Sequence, residues 1–329
     1  MNFHGKALRT GLCMALAGGL LAVGPGVIAK ENDFPSKPIV LVVPFTPGAG
    51  TDVSARRLSK TMSEVTGQPV VVENRPGGNN AIGVRHVINA APDGYTLLVG
   101  TNSPVAGNVA LFKSLPYDPV EELTPVAPLS RQEWIVAVDK ASPFKTLEDL
   151  IAAGRKDPLL LTAGAGAAGY QLAAMLLAKN AGVEVNVIPY PGTPQAIQDL
   201  MGGRLSFSIV DAGSVLPHLN QGNLRALGAL AEERISVLPD VPTLQELGLP
   251  SIPLTSWAGI FAPKGTPQDV LDKLASLIEA SLSKEDLRAY YASIGADILT
   301  GGASVLKDIQ HSDIETYREA MARTGLPPL

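Results

Sequence analysis

The chain carries a single cysteine, Cys13, in 329 residues, so the remainder of it offers no disulfide, no thiolate metal site and no thiol nucleophile. Histidine is nearly as scarce, with four in all. Three of these, His86, His218 and His311, lie beyond the N-terminal segment; they are scattered, with no pair at metal-ligand spacing and no His-Glu-x-x-His helix. No Gly-x-Ser-x-Gly elbow occurs either. Charge is also sparse: charged residues make up 17% of the chain, the formal net charge is −5, and no run of Lys or Arg forms a basic stripe. These absences predict no catalytic residue, no cofactor, no metal and no nucleic-acid partner. They also mean that an anionic ligand must be held by local backbone donors or a single residue, because no broad positive field exists to attract it.

What is present suits a compact α/β protein: 46% of residues are apolar, and the length allows two lobes of ordinary size. At the N-terminus Lys6 and Arg9 precede an apolar run from Leu12 to Val23, and Val27-Ile28-Ala29 follow. That pattern predicts a signal peptide of residues 1–29, cut near Ala29, and hence a periplasmic protein. Gly18, Gly19, Gly24 and Pro25 argue against a spanning anchor.

From Lys37 short β-type runs alternate with helical stretches. Ile39 to Val43, Val70 to Val72 and Tyr95 to Val99 read as strands, with a helix from Asp52 to Val65 that Gly67 ends. In that helix Val53, Leu58, Met62 and Val65 are expected on the buried face. After a Pro-rich stretch, strands are expected at Trp134 to Val138, Leu159 to Ala163, Val185 to Pro189, Leu205 to Val210 and Leu224 to Ala229. Helices are expected at Leu147 to Ala153, Tyr170 to Ala181 and Pro194 to Met201. Thr193-Pro194 and Thr266-Pro267 read as helix starts with a capping hydroxyl before a first-turn proline. The alternation implies mostly parallel sheets flanked by helices.

The most informative segment is Pro44-Phe45-Thr46-Pro47-Gly48-Ala49-Gly50-Thr51-Asp52, a Gly-rich turn from a buried strand into a helix. Free amides and the helix dipole at such a turn favour an anion; the alternative is a tight turn capped by Thr51 or Asp52. It is neither a dinucleotide fingerprint nor a P-loop, since Val53 stands where a third glycine is needed and no Gly-Lys-Ser/Thr follows. A second turn of the same kind runs from Leu161 through Gly164, Gly166, Ala167 and Ala168 to Tyr170. Thr193 reads as a helix cap, with or without a ligand contact. Asp211, at a strand's carboxyl end, either reads a ligand amine or hydroxyl or caps the next helix.

These segments resemble the receptors of tripartite tricarboxylate transporters, the Bug-type periplasmic solute-binding proteins. The resemblance rests on several blocks in order along nearly the whole chain. They are Pro35-Ser36-Lys37-Pro38-Ile39, Val43 through Asp52, Gly67 through Gly78, and Ala91-Pro92-Asp93-Gly94-Tyr95-Thr96-Leu97. Asp199 through Gly203, Leu238 through Thr243, and Ser256 through Pro263 complete the set. It implies a two-lobed periplasmic binding protein fold joined by crossing hinge strands, at Trp134 to Val138 and Trp257 to Ala262. Lobe 1 would comprise 34–135 and 256–329, and lobe 2 136–255. It further implies a small carboxylate held between the lobes by Phe45, Thr46, Gly48, Ala49, Thr51 and Asp52, by Thr101 and Asn102, and by Gly166, Ala167, Ala168 and Thr193.

The chain departs from the family pattern at Ala167-Ala168-Gly169-Tyr170, where a hydroxyl donor is often found. Tyr170 there either narrows the cleft or stacks on an aromatic acid. Arg75 reads as an ion-pair or turn residue. The implied partners are the ligand and membrane permease subunits, or a sensor protein, with the receptor itself a monomer. An exported hydrolase or isomerase using Asp52 or Asp211 is the competing class. On this reading Gly48→Asp abolishes binding by setting a negative charge on the anion loop.

Overall fold

The computed structural model describes residues 34–325. The expected signal peptide, with Cys13 inside it, and the last four residues lie outside that range. The first alternation builds β1 (Ile39–Val43), α1 (Gly50–Thr66), β2 (Val70–Asn74), α2 (Ala81–Ile88) and β3 (Thr96–Thr101). β1 runs between β2 and β3, parallel to both, and its Ile39, Leu41, Val42 and Val43 are buried, as a strand covered on both faces requires. A π-helical turn, Ser103–Gly107, leads into α3 (Asn108–Leu111), then β4 (Leu123–Gln132), β5 (Trp134–Asp139) and α4 (Leu147–Lys156). The second alternation is β6 (Thr162–Ala165), α5 (Ala168–Ala181), β7 (Asn186–Pro189), α6 (Thr193–Met201), β8 (Phe207–Asp211), α7 (Ala212–Asn220) and β9 (Leu224–Leu230). The chain closes with β10 (Ser256–Pro263), α8 (Gln268–Leu282), α9 (Glu285–Ser293), β11 (Ala296–Ile298) and α10 (Ala303–Thr324).

Two sheets result, ordered β11-β4-β10-β3-β1-β2 and β7-β6-β8-β5-β9. Each has three parallel strands from the βαβ alternation and turns antiparallel where β10 or β5 enters. The chain passes from the first sheet to the second at Glu133, the one residue between β4 and β5, and returns through the irregular segment 231–255. The crossings therefore lie beside the strands expected to carry them: Trp134 to Val138 is wholly in the second sheet and Trp257 to Ala262 wholly in the first.

β4 is the strand that the sequence hides. Pro125 and Pro128 argue against a central strand because proline donates no ladder hydrogen bond. Both sit where the β4–β10 register shifts, between Ala258 and Gly259 and between Ile260 and Phe261, so bulges absorb the missing donors. Three other local expectations are corrected. In α1 Leu58 and Met62 are buried as expected, but Val53 is exposed and its neighbour Asp52, which holds the preceding loop, is buried instead. Thr193 and Thr266 are not caps: α6 is preceded by Gly192 and α8 by Pro267, and the Thr266 hydroxyl donates back to the Pro263 carbonyl. β6 begins at Thr162, and the Leu159 and Leu160 that seemed to open it are exposed.

α10 packs into the cores of both sheets. Its first half buries Leu306 and Ile314 with Trp257 and Phe261 of the first, and its second half buries Tyr317, Ala320 and Met321 with Trp134, Leu172 and Leu176 of the second. Each such large side chain contributes roughly 1.5–3 kcal/mol by leaving water. From Phe34 onward the described residues accordingly form one compact unit.

Candidate functional site

Helices α1, α4, α5, α6 and α7 each follow a strand, and they differ in how their first turn is finished. α4 has a full capping box, with the Thr146 hydroxyl accepting from the Asp149 amide and the Asp149 carboxylate from the Thr146 amide. α7 is capped by Asp211, whose Oδ1 accepts from the Ser214 amide at 2.8 Å. α1, α5 and α6 are preceded by Ala49, Ala167 and Gly192, which have no side chain able to cap. Their first turns keep unpaired amides and the positive end of the helix dipole.

The starts of α1, α5 and α6 meet at one cavity of about 70 Å³ between the two sheets, whereas the starts of α2, α8, α9 and α10, also without a side-chain cap, do not line it. Ala49, Gly50 and Thr51 bring α1 to it, Ala167 and Tyr170 bring α5, and Thr193 brings α6. Among the described residues no Lys, Arg or His lines it, and Asp211 is the one charged residue that does. The lining thus offers backbone amides to an anion and aromatic or aliphatic surface to the rest of a ligand, from Phe45, Trp134, Tyr170, Trp257 and Tyr291 among others.

Of the residues expected from the sequence, Phe45, Ala49, Thr51, Thr101, Asn102, Ala167, Tyr170, Thr193 and Asp211 line this cavity. Thr46, Gly48, Asp52, Gly166 and Ala168 do not. Gly48 is exposed, and its amide is already given to Asp52 Oδ2 at 3.0 Å. Asp52 is buried and also accepts from Arg56 Nε and from Asn74 Nδ2, so it ties the loop to α1 and β2. Burial alone raises its pKa, but the Gly48, Arg56 and Asn74 hydrogen bonds outweigh that and hold the carboxyl below its ordinary range. Gly166 is a glycine because a Cβ there would overlap the Thr193 backbone. Thr46 stands across the cleft from Gly192, its buried hydroxyl unpaired. Arg75 pairs with Glu73 at 2.6 Å, away from the cavity.

Asp211 both caps α7 and faces the cavity. Its Oδ2 accepts from the Ser214 hydroxyl and from the Tyr170 hydroxyl, each at 2.9 Å. Burial, and then the Asp211 charge, push the Tyr170 pKa well above its ordinary value, so Tyr170 stays a neutral donor. Its ring meets Trp134 edge-on at 4.8 Å, and the Trp134 indole donates to Ser256 Oγ at 2.7 Å. Asn102 spends its amide nitrogen on the Thr255 carbonyl and the Tyr317 hydroxyl. The two halves touch at the α1 start: a Cβ on Gly50 would lie 3.2 Å from Ser214 Oγ and 3.3 Å from Asp211 Oδ1.

Sequence reasoning missed Gly50, Ser54, Ser130, Gln132, Trp134, Ser256 and Tyr291 in the lining. Gly50 was legible as part of the first turn. The others come from the proline-bearing β4, from the strands that meet at the crossing, from α1 and from the C-terminal helices, and only tertiary packing brings them here.

A family model described as the tripartite tricarboxylate transporter family receptor matches residues 54–321. Protein BugT of Bordetella pertussis is 33% identical over 312 residues, covering 93% of this chain and 96% of that protein. Among solved structures, MatC from Rhodopseudomonas palustris with bound malate superposes with a TM-score of 0.83 at 31% identity, covering 87% of this chain and 99% of that one. The R. palustris protein Rpa4515 with adipate gives a TM-score of 0.87 at 31% identity, covering 90% and 100%.

Proposed function

Because the chain belongs to the tripartite tricarboxylate transporter receptor family, we propose that it captures a small carboxylate between two lobes and presents it to a membrane permease. The observation that carries this reading is the convergence of three uncapped helix starts on one cavity without a cation. Gly50, Thr51, Ala167 and Thr193 surround the position where such donors act together, and a carboxylate is the common small anion that several aimed amides suit. The malate and adipate in the two related structures are of that class.

On this reading residues 34–132 with those from 256 onward form one lobe and 134–255 the other, since Trp134 and Ile135 already pair with β8 and β9. Glu133 and the segment 231–255 are the places where the lobes part, and α10, seated in both cores, limits how far. At about 70 Å³ the cavity holds no more than a few waters, so a ligand enters with the lobes apart and is enclosed as they close. On this reading the receptor works as a monomer in the periplasm.

Binding is the whole task on this reading, and the two carboxylates nearest the cleft fit no catalytic role. Asp52 is locked to its own loop, and Asp211 is engaged by Ser214 and Tyr170. A thermal-shift screen of the exported chain against mono-, di- and tricarboxylates, aromatic acids, phosphate and sugars tests the proposal. A specific ligand at a hundredfold over its Kd adds about 2.7 kcal/mol and raises the Tm. A shift with a carboxylate class is the expected result; shifts only with phosphate or sugars would overturn it.

A further inference from the structure

Tyr291 has no place in the amide-lined part of the site, yet it stands in the wall of the same cavity. It is a residue of α9, 1% exposed, and its hydroxyl is buried without a hydrogen-bond partner of ordinary geometry. A buried phenol left without a partner loses its hydration for nothing, a cost that native structures rarely carry without a reason. The Ser130 hydroxyl of β4 lies close enough to temper the rise that burial and the neighbouring Tyr290 impose on the Tyr291 pKa. Ser130 lines this cavity and not the outer groove that the other side of Tyr291 borders, so the hydroxyl end of the ring is on the cleft side.

The position along the cavity is equally informative. Ser54 and Ala55 share the wall with Tyr291 and lie one turn down α1 from the bare amides of Gly50 and Thr51. Ser54 is occupied by Tyr290, whose hydroxyl lies 3.2 Å away, and Gln132 gives its amide nitrogen to the Ile294 carbonyl. Among the polar side chains at this end, Tyr291 therefore keeps a free donor, with Ser130 beside it.

We infer that Tyr291, together with Ser130, is a second anchoring point that selects acids carrying a further oxygen acceptor, such as a second carboxylate, a carbonyl or a hydroxyl, over plain monocarboxylates. This rests on the carboxylate reading of the helix starts and adds to it the other end of the ligand. The matching ligand is short and bifunctional: one carboxylate on the amides of α1, α5 and α6, its second oxygen group on the phenol.

The test compares wild type with Tyr291→Phe, which keeps the ring. Affinities are measured by calorimetry for matched pairs, succinate against butyrate and adipate against hexanoate, with malate added. Wild type is expected to favour the member with two oxygen-bearing ends, and Y291F to lose about tenfold or more for that member while its affinity for the monocarboxylate stays within twofold. Without any ligand, Y291F is expected to melt no lower than wild type, since only a contact with Ser130 outside ordinary hydrogen-bond geometry is removed. Binding that is indifferent to Y291F, a wild-type preference for the monocarboxylates, or a lower Tm of ligand-free Y291F would each overturn the inference alone. If no acid of the set binds wild type, the carboxylate reading fails, and this inference with it.

Discussion

The Tyr170 hydroxyl donates to Asp211 Oδ2 at 2.9 Å, which joins the first turn of α5 to the cap of α7 and sets a neutral phenol against the one charged group of the cavity. Tyr170→Phe removes this donor while the Ser214 amide and hydroxyl stay on Asp211. A hydrogen bond to a charged group contributes about 1.5–3 kcal/mol, and Y170F should lose about that much in urea denaturation. Tyr170→Ala also empties a buried volume and should cost about 3–5 kcal/mol. A Y170F protein as stable as wild type would show that this bond contributes nothing.

Closure has a steric test at Gly192. A Cβ there would overlap Thr46 Oγ1 on the far side of the cleft. Gly192→Ala should therefore oppose closure and weaken carboxylate binding about tenfold or more, while the ligand-free Tm changes little. Equal affinities in calorimetry would show that Thr46 and Gly192 need not approach.

Charge reversal at the anion loop belongs at Gly50, not Gly48. A side chain on Gly48, at φ +83°, would enter open space, whereas one on Gly50 would point at Ser214 and Asp211. Gly50→Asp should abolish carboxylate binding by setting a second carboxylate against Asp211 and the bare amides. Gly48→Asp should leave an affinity within a few-fold of wild type. The reverse order of effects, read by thermal shift with the best ligand of the screen, would return the anion site to Gly48.

Glu133, at the crossing between the sheets, should make stability fall as pH rises. Burial pushes its pKa up to about 7, with Asp297 and Glu232 adding and Arg131 opposing. A raised carboxyl pKa means that the folded state keeps a proton which the unfolded chain releases near the ordinary glutamate value of 4.5. The stability held below pH 4.5 is therefore lost progressively up to about pH 7, by about 3 kcal/mol at most. Glu133→Gln should flatten that part of the denaturation profile. The slope left over belongs in part to Asp313, raised by burial to about 6, which acts in the same direction. An unchanged slope in E133Q would refute the assignment.

Asp52 works in the opposite sense. Its pKa is held down in the fold, so its contribution is present above the ordinary aspartate value of 3.8 and is lost as pH falls through the lower folded value. Asp52→Asn should cost about 1–3 kcal/mol at neutral pH, because a buried carboxylate with three donors is replaced, and should converge with wild type in strong acid. A constant difference across pH would mean that packing and not charge is at stake.

Much of the fold was legible because it is written in local periods. The apolar run of β1, the Gly67 stop of α1, and the strand-to-helix turns before α1 and α5 are short-range patterns set by backbone sterics and burial. β4 was not legible, since Pro125 and Pro128 contradict a strand locally and are tolerated only where β10 offers a shifted register. The first buried residue of α1 was misread for a related reason: a charged Asp52 turns inward in place of Val53 only because Gly48, Asn74 and Arg56 await it.

The sequence by itself determined the class of the protein, the two rounds of βαβ alternation, and the two Gly-rich turns able to hold an anion on backbone amides. These follow from which residues can form a strand, start a helix or tolerate a tight turn, and neighbours a few positions away decide them. Only the tertiary structure decided which amides are free, because Gly48 is claimed by Asp52 while the starts of α1, α5 and α6 are left bare around one cavity. It alone brought Ser130, Ser256 and Tyr291 to that cavity from segments far apart in the chain, since such contacts depend on the crossing at Glu133 and on α10 packing into both cores.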